Sequence, residues 1–156
     1  MKYYRDLFLW VLFSLSAGFL GSFATVTGPG SWYSLIEKPL WNPPSWVFGP
    51  VWTTLFVLIG AASFLVWRQH DRSHLVFVGL GVFFFQFVLN ILWSYLFFAF
   101  QNLFVAFVEI VILWLMIVLM IVLFFRVRTL AGWFLVPYLF WVTFVAFLNF
   151  TIWQLN

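Results

Sequence analysis

Residues 103–125 read L-F-V-A-F-V-E-I-V-I-L-W-L-M-I-V-L-M-I-V-L-F-F, an unbroken apolar run whose one ionisable side chain is Glu109. As a helix rising ~1.5 Å per residue, such a run covers a hydrocarbon core of about 30 Å. Four further runs of similar length share the chain with it. At 66% hydrophobic and 7% charged residues, with a mean hydropathy of +1.12, 156 residues cannot hide this apolar surface in a water-soluble domain. Lipid offers the backbone no hydrogen-bond partners, which leaves helices or a closed barrel. The runs are continuous rather than alternating, and that selects helices. The expected fold is all-α, one integral membrane bundle of five transmembrane helices over residues 1–156.

The expected spans are about 7–26, 45–67, 75–98, 103–125 and 130–153. Thr27-Gly28-Pro29-Gly30 stops the first, and a loop over 27–44 follows. Asn42 and Pro43 suit the N-cap and first position of the second helix. Arg68 to Arg72, Gln101-Asn102 and Arg126-Val127-Arg128 separate the remaining spans. Lys2, Arg5 and a small-x-small Ser22-Phe23-Ala24 imitate a cleavable signal, but the apolar run is longer than a signal core, so it reads as a retained span. Lys2, Arg5, Arg68, Arg72, Arg126 and Arg128 fall on one side, and Lys38 alone on the other. This bias predicts a cytoplasmic N-terminus, with the 27–44 loop and the C-terminus outside. The absence of Cys excludes disulfides and thiolate metal sites. No metal-ligand set is visible, and no basic face suits nucleic acid.

The loop and the helix it enters hold Trp32, Trp41, Trp46 and Trp52 among Pro39, Pro43, Pro44 and Pro50, with an adjacent Glu37-Lys38 pair. A rigid aromatic loop between two spans is costly at a lipid boundary unless it covers something, so it reads as the lid of an aromatic pocket. Trp52 lies ~14 Å below Pro43, Asn90 ~15 Å below the third loop and Glu109 ~10 Å into its span. Trp141 and Asn149 bracket the same depths, so four helices can aim polar or indole groups at one space. Gln86, Asn90 and Ser94 recur at i, i+4, i+8 with Trp93 beside them, and Tyr138, Trp141, Val145 and Asn149 share another face. Both stripes are expected to look inward, Gln86 as a helix–helix bond and Asn90 as a ligand contact. Glu109 has no Lys, Arg or His inside a span to accompany it. It is expected to bond Asn90 or Trp93, with a proton or cation site as the alternative. Pro50 and Pro137 should kink their helices. Trp10, Trp67, Trp133 and Trp153, near span ends, fit an interfacial belt.

The run from Trp32 to Trp52, W-Y-x-L-x-x-K-P-x-W-x-P-P-x-W-x-x-G-P-V-W, resembles the signature of the TspO/translocator protein family of tryptophan-rich sensory proteins. Asn90 with Trp93, Phe97-Phe98, Glu109, Pro137 to Trp141 and Leu148-Asn149 extend the likeness over the whole chain. The resemblance implies a five-helix bundle, usually a homodimer, in a bacterial inner membrane. It implies no resident cofactor, and porphyrin, haem or related tetrapyrroles as ligands. It places Trp52, Asn90 and Trp141 in the pocket and Trp32 and Trp41 in the lid. Trp93, Tyr138 and Val145 belong to the same faces, and Lys38 sits where it would meet a ligand carboxylate. His70 and His74 lie too far from the pocket to ligate haem iron, which favours a metal-free porphyrin or haem without an axial His. The end of the last span lacks the Tyr and basic residue tied to cholesterol in mitochondrial relatives. Three functions compete: tetrapyrrole sensing or transport; light-dependent oxidative degradation of protoporphyrin using Trp52 and Trp141; and a structural role in a membrane complex through Ala17/Gly21 and Gly18/Ser22.

Overall fold

The computed structural model describes residues 2–69 and 74–156. Those residues are helical without a strand: α1 Lys2–Ser22, α2 Trp32–Leu35, α3 Phe48–Trp67, α4 His74–Ser94, α5 Leu103–Val127 and α6 Thr129–Leu155. The five long helices close a ring in which α1 touches α3, α3 touches α6, α6 touches α5, α5 touches α4 and α4 returns to α1. Among the described residues, four stretches are long and apolar enough to cross a membrane: Ser45–Trp67, His74–Ala99, Leu103–Val127 and Thr129–Leu155. α1 is a further long helix whose first turns carry Lys2, Arg5 and Asp6, with Arg5 and Asp6 ion-paired at 2.8 Å.

The end of the ring away from the first loop is densely filled. Ile59, Ala62, Phe83, Ile117, Met120, Phe124 and Leu135 are fully enclosed there. Their spacing on each helix is the i, i+3, i+4 pattern of an inward stripe. Gly60 sets how closely α1 and α3 meet, since a Cβ on it would lie 2.6 Å from Val11 Cα and 2.8 Å from the Trp10 carbonyl oxygen. The backbones touch there because no side chain intervenes.

Several expected boundaries move. The first helix ends at Ser22 rather than near 26, because Ala24 N–H bonds Gly21 O at 3.1 Å and the Thr25 hydroxyl donates to the same carbonyl at 2.9 Å. The 27–44 loop holds the short helix α2, capped by Ser31, whose Oγ accepts from Ser34 N. Asn42 does not cap the next helix. Its Oδ1 accepts from Tyr33 Oη at 3.2 Å and its Nδ2 donates to Pro43 O at 3.1 Å, while a 3₁₀ turn over Ser45–Val47 leads into α3. Pro50 therefore falls in the first turn of α3, where its missing N–H removes no helix bond. Pro137 lies inside α6. The third span widens after Ser94 into a π-helical turn, Tyr95–Ala99, closed by Phe100 N–H to Tyr95 O at 2.8 Å. Gln101 turns the chain with φ of 54°, and Asn102 caps α5 through Oδ1 to Val105 N. His70 and Arg72 lie outside the described residues.

Candidate functional site

The unfilled end of the ring contains a cavity of about 350 Å³, at the small end of ligand pockets, which run to about 1,000 Å³. α3 lines it with Trp52 and Phe56, four residues apart and so on one face, their rings 5.5 Å apart and 24° from parallel. α4 contributes Asn90 and Trp93, and the π-helical turn adds Phe97 and Phe98. The wider turn brings these two rings to Trp93 and to the loop: Trp93–Phe97 is 5.2 Å, Trp32–Phe97 5.9 Å and Tyr33–Phe98 5.5 Å. α6 contributes Val145, Leu148, Asn149 and Ile152, and α1 a wall of small residues including Ala17, Gly18 and Gly21.

Buried polar bonds fix this wall. Gln86 Oε1 accepts from Asn90 Nδ2 and from Tyr138 Oη, each at 2.8 Å, and Asn90 Nδ2 also meets Tyr138 Oη. The Asn90 donors are thus used inside the network, and its Oδ1 remains as the acceptor at the cavity wall. Trp93 Nε1 donates to Asn149 Oδ1 at 3.1 Å, while Asn149 Nδ2 donates to Leu103 O at 2.9 Å. This holds Trp93 edge-on to α6, so that its ring presents to the cavity. Left unmade, each such bond costs about 1–3 kcal/mol in a buried setting.

Of the residues singled out from sequence, Trp52, Asn90, Trp93 and Val145 line the cavity. Tyr138 stands behind it, its hydroxyl tied to Gln86 and its ring 6.3 Å from Trp52. Trp32 leans on Phe97 from the loop. Trp141 is outside the lining, packed on Phe48 at 5.6 Å and Phe144 at 5.4 Å, with Trp41 on the far side of Phe144 at 5.9 Å. Lys38 turns back onto its own loop: Nζ donates to the Tyr33 and Ile36 carbonyls at 2.6 and 2.8 Å and lies 4.9 Å over the Tyr33 ring. Burial raises the Tyr33 phenol above its ordinary pKa, and the bond with Asn42 pulls the other way.

Glu109 corrects the sequence reading. Its carboxyl is buried, yet neither oxygen bonds Asn90, Trp93 or any other described residue, because Gln86, Tyr138 and Asn149 already hold those partners. The small pairs of α1 serve within the fold: a Cβ on Gly18 would lie 2.9 Å from the Phe56 ring, and one on Gly21 2.9 Å from Ser94 Oγ. Phe48, Phe56, Thr53 and Leu148 were missed as wall residues. Phe56 and Leu148 were within reach of the sequence, as i+4 and i+3 neighbours of Trp52 and Val145.

The model of the TspO/MBR family matches residues 10–154. The chain belongs to the TspO/MBR family. It is 47% identical over 143 residues to the tryptophan-rich protein TspO of Chlorobaculum tepidum, covering 91% of this chain and 90% of that one. A protein of the same name from Archaeoglobus fulgidus is 40% identical, with 94% of each chain covered. The human translocator protein is 36% identical over 88% of this chain and 82% of its own. As a TspO/MBR member with four long apolar helices, the chain is an integral membrane protein.

Proposed function

We propose that this protein binds tetrapyrrole-type ligands, a metal-free porphyrin foremost, in the cavity under its first loop and serves in their sensing or transport. One observation carries the reading: aromatic rings from α3, α4 and the π-helical turn border one cavity, with a few polar side chains, Asn90 among them, in its wall. A porphyrin offers wide π faces on which Trp52, Trp93, Phe97 and Phe98 can stack. The names of relatives, a tryptophan-rich sensory protein in Cereibacter sphaeroides and translocator proteins in mammals, are in keeping with sensing or transport. α1 acts as a fifth span with the N-terminus in the cytoplasm. The loop then faces outward from a bacterial inner membrane, and two copies pair as a homodimer.

Protoporphyrin titration followed by tryptophan fluorescence tests this. Trp52→Phe and Asn90→Ala should each weaken binding by roughly 2- to 10-fold, as expected for an aromatic or hydrogen-bond contact of about 0.5–1.5 kcal/mol. Trp141→Phe should have a smaller effect, and helicity should stay intact in all three. Wild-type affinity in both cavity variants, or no protoporphyrin uptake at all, refutes the assignment.

A further inference from the structure

The cavity is closed on two sides and open on a third. The side chains it takes from α6 are all buried: Val145, Leu148, Asn149 and Ile152. Asn90, Trp93 and Phe97 close the α4 side in the same way. The exposed residues of its lining come instead from the end of α1 and the chain just beyond it, Phe19, Ser22 and Thr25, and from the beginning of α3 and the turn before it, Ser45, Gly49 and Thr53. Phe19 is 64% exposed although it borders an internal space. These positions fall at i, i+3 on α1 and i, i+4, i+8 on α3, one stripe on each helix. The mouth is therefore a slot in the side of the ring between α1 and α3.

Glycines along the pair measure the slot. At Gly60 an added Cβ would strike the Val11 backbone at 2.6 Å. Nearer the cavity, at Gly18, the closest atom is a Phe56 ring carbon at 2.9 Å, a side chain rather than the opposing backbone. At Gly49 nothing lies within 4 Å. The helices touch at one end and part toward the other, a V whose open arms frame the cavity.

The rim suits hydrocarbon. The Ser22, Thr25 and Thr53 hydroxyls donate to the Phe19, Gly21 and Gly49 carbonyls at 2.6, 2.9 and 2.9 Å, so none of the three presents an unused proton. Phe19 and Phe23 stand beside the slot as an exposed ring pair 5.0 Å apart. The loop above is fastened. Asn156 accepts from Glu37 N–H and donates to Glu37 O, both at 3.0 Å, and donates again to Ile152 O at 2.8 Å. Lys38 and the Tyr33–Asn42 bond tighten the same loop from within.

We propose that the α1–α3 slot is a lateral portal through which a flat apolar ligand dissolved in the bilayer slides into the cavity, while the first loop stays fastened to α6. The portal rests on the assignment of α1 as a span and on the tetrapyrrole reading above. A cavity at the small end of ligand pockets accords with it, because the edge of a wide ring then remains in the slot. Exchange then follows the amount of ligand per lipid rather than its concentration in water.

The full chain in vesicles preloaded with protoporphyrin, followed by stopped-flow tryptophan quenching, tests the route. Thr53→Trp, which places an indole across the slot, should slow uptake and release at least tenfold. Phe19→Ala should speed both severalfold, and Asn156→Ala, which frees the loop, should leave both within twofold. A Thr53→Trp rate within twofold of wild type, or faster uptake on freeing Asn156, overturns the portal. If wild type takes up no protoporphyrin at equilibrium, the ligand assignment has failed instead, and the slot is judged separately. The chain has no cysteine, so a spin label on Thr53→Cys is unique. Relaxation by oxygen above that by a water-soluble nickel chelate supports a lipid-facing slot, and the reverse overturns it.

Discussion

Gly60 is the apex of the α1–α3 pair, and replacing it with alanine tests the packing that shapes the cavity. The new methyl would lie 2.6 Å from Val11 Cα, 2.8 Å from the Trp10 oxygen and 3.0 Å from Val11 N. All three are backbone atoms, which cannot rotate away, so the helices must separate. Overpacking of this kind costs about 1–3 kcal/mol. Alanine also favours helix over glycine by about 0.5–1 kcal/mol. Gly81→Ala on α4 isolates the two effects, since nothing lies within 4 Å of a Cβ there. Helix propensity is gained in both variants and cancels between them. Their unfolding free energies should then differ by the clash alone, about 1–3 kcal/mol or roughly 5- to 150-fold in the equilibrium constant. Reversible unfolding in mixed micelles, titrated with denaturing detergent and followed by circular dichroism, measures the difference. Two variants agreeing within about 0.5 kcal/mol would refute the reasoning, because separate, uncoupled sites already scatter by that much.

Two buried polar groups should respond in opposite directions in the same assay. Asn149→Ala strands Trp93 Nε1 and Leu103 O and should cost about 1–3 kcal/mol, whereas Glu109→Leu removes an unbonded carboxyl and should stabilise the protein; a loss there would reveal a partner for Glu109. The raised Tyr33 pKa sets a pH window. Its stabilisation is fully present below the unfolded tyrosine value of about 10 and is lost as pH climbs through the higher folded value. The unfolding midpoint should fall as pH rises beyond about 10 in wild type and fall less in Tyr33→Phe; parallel curves would sink the assignment.

The helices were legible in the sequence because lipid removes the alternatives. A run such as 103–125 has no other way to satisfy its backbone, and α5 begins where Asn102 caps it. The polar stripe of Gln86 and Asn90 was legible for the same reason, as a period of four in a helix that is apolar elsewhere. Partners were not. That Asn90 and Gln86 both reach Tyr138, that Trp93 reaches Asn149, and that Glu109 is left unbonded all follow from how α4, α5 and α6 rotate and slide against one another. Packing of the whole ring sets those degrees of freedom, and no local spacing records them. The π-helical turn at Tyr95–Ala99 and the inward fold of Lys38 belong to the same class, as does the displacement of Trp141 behind Phe48. The sequence by itself determined that the chain is a bundle of long apolar helices with a tryptophan- and proline-rich loop between the first two. Only the tertiary structure decided that α1 and α3 meet at Gly60 and part at Gly49, because the angle between two helices is fixed by contacts between residues far apart along the chain.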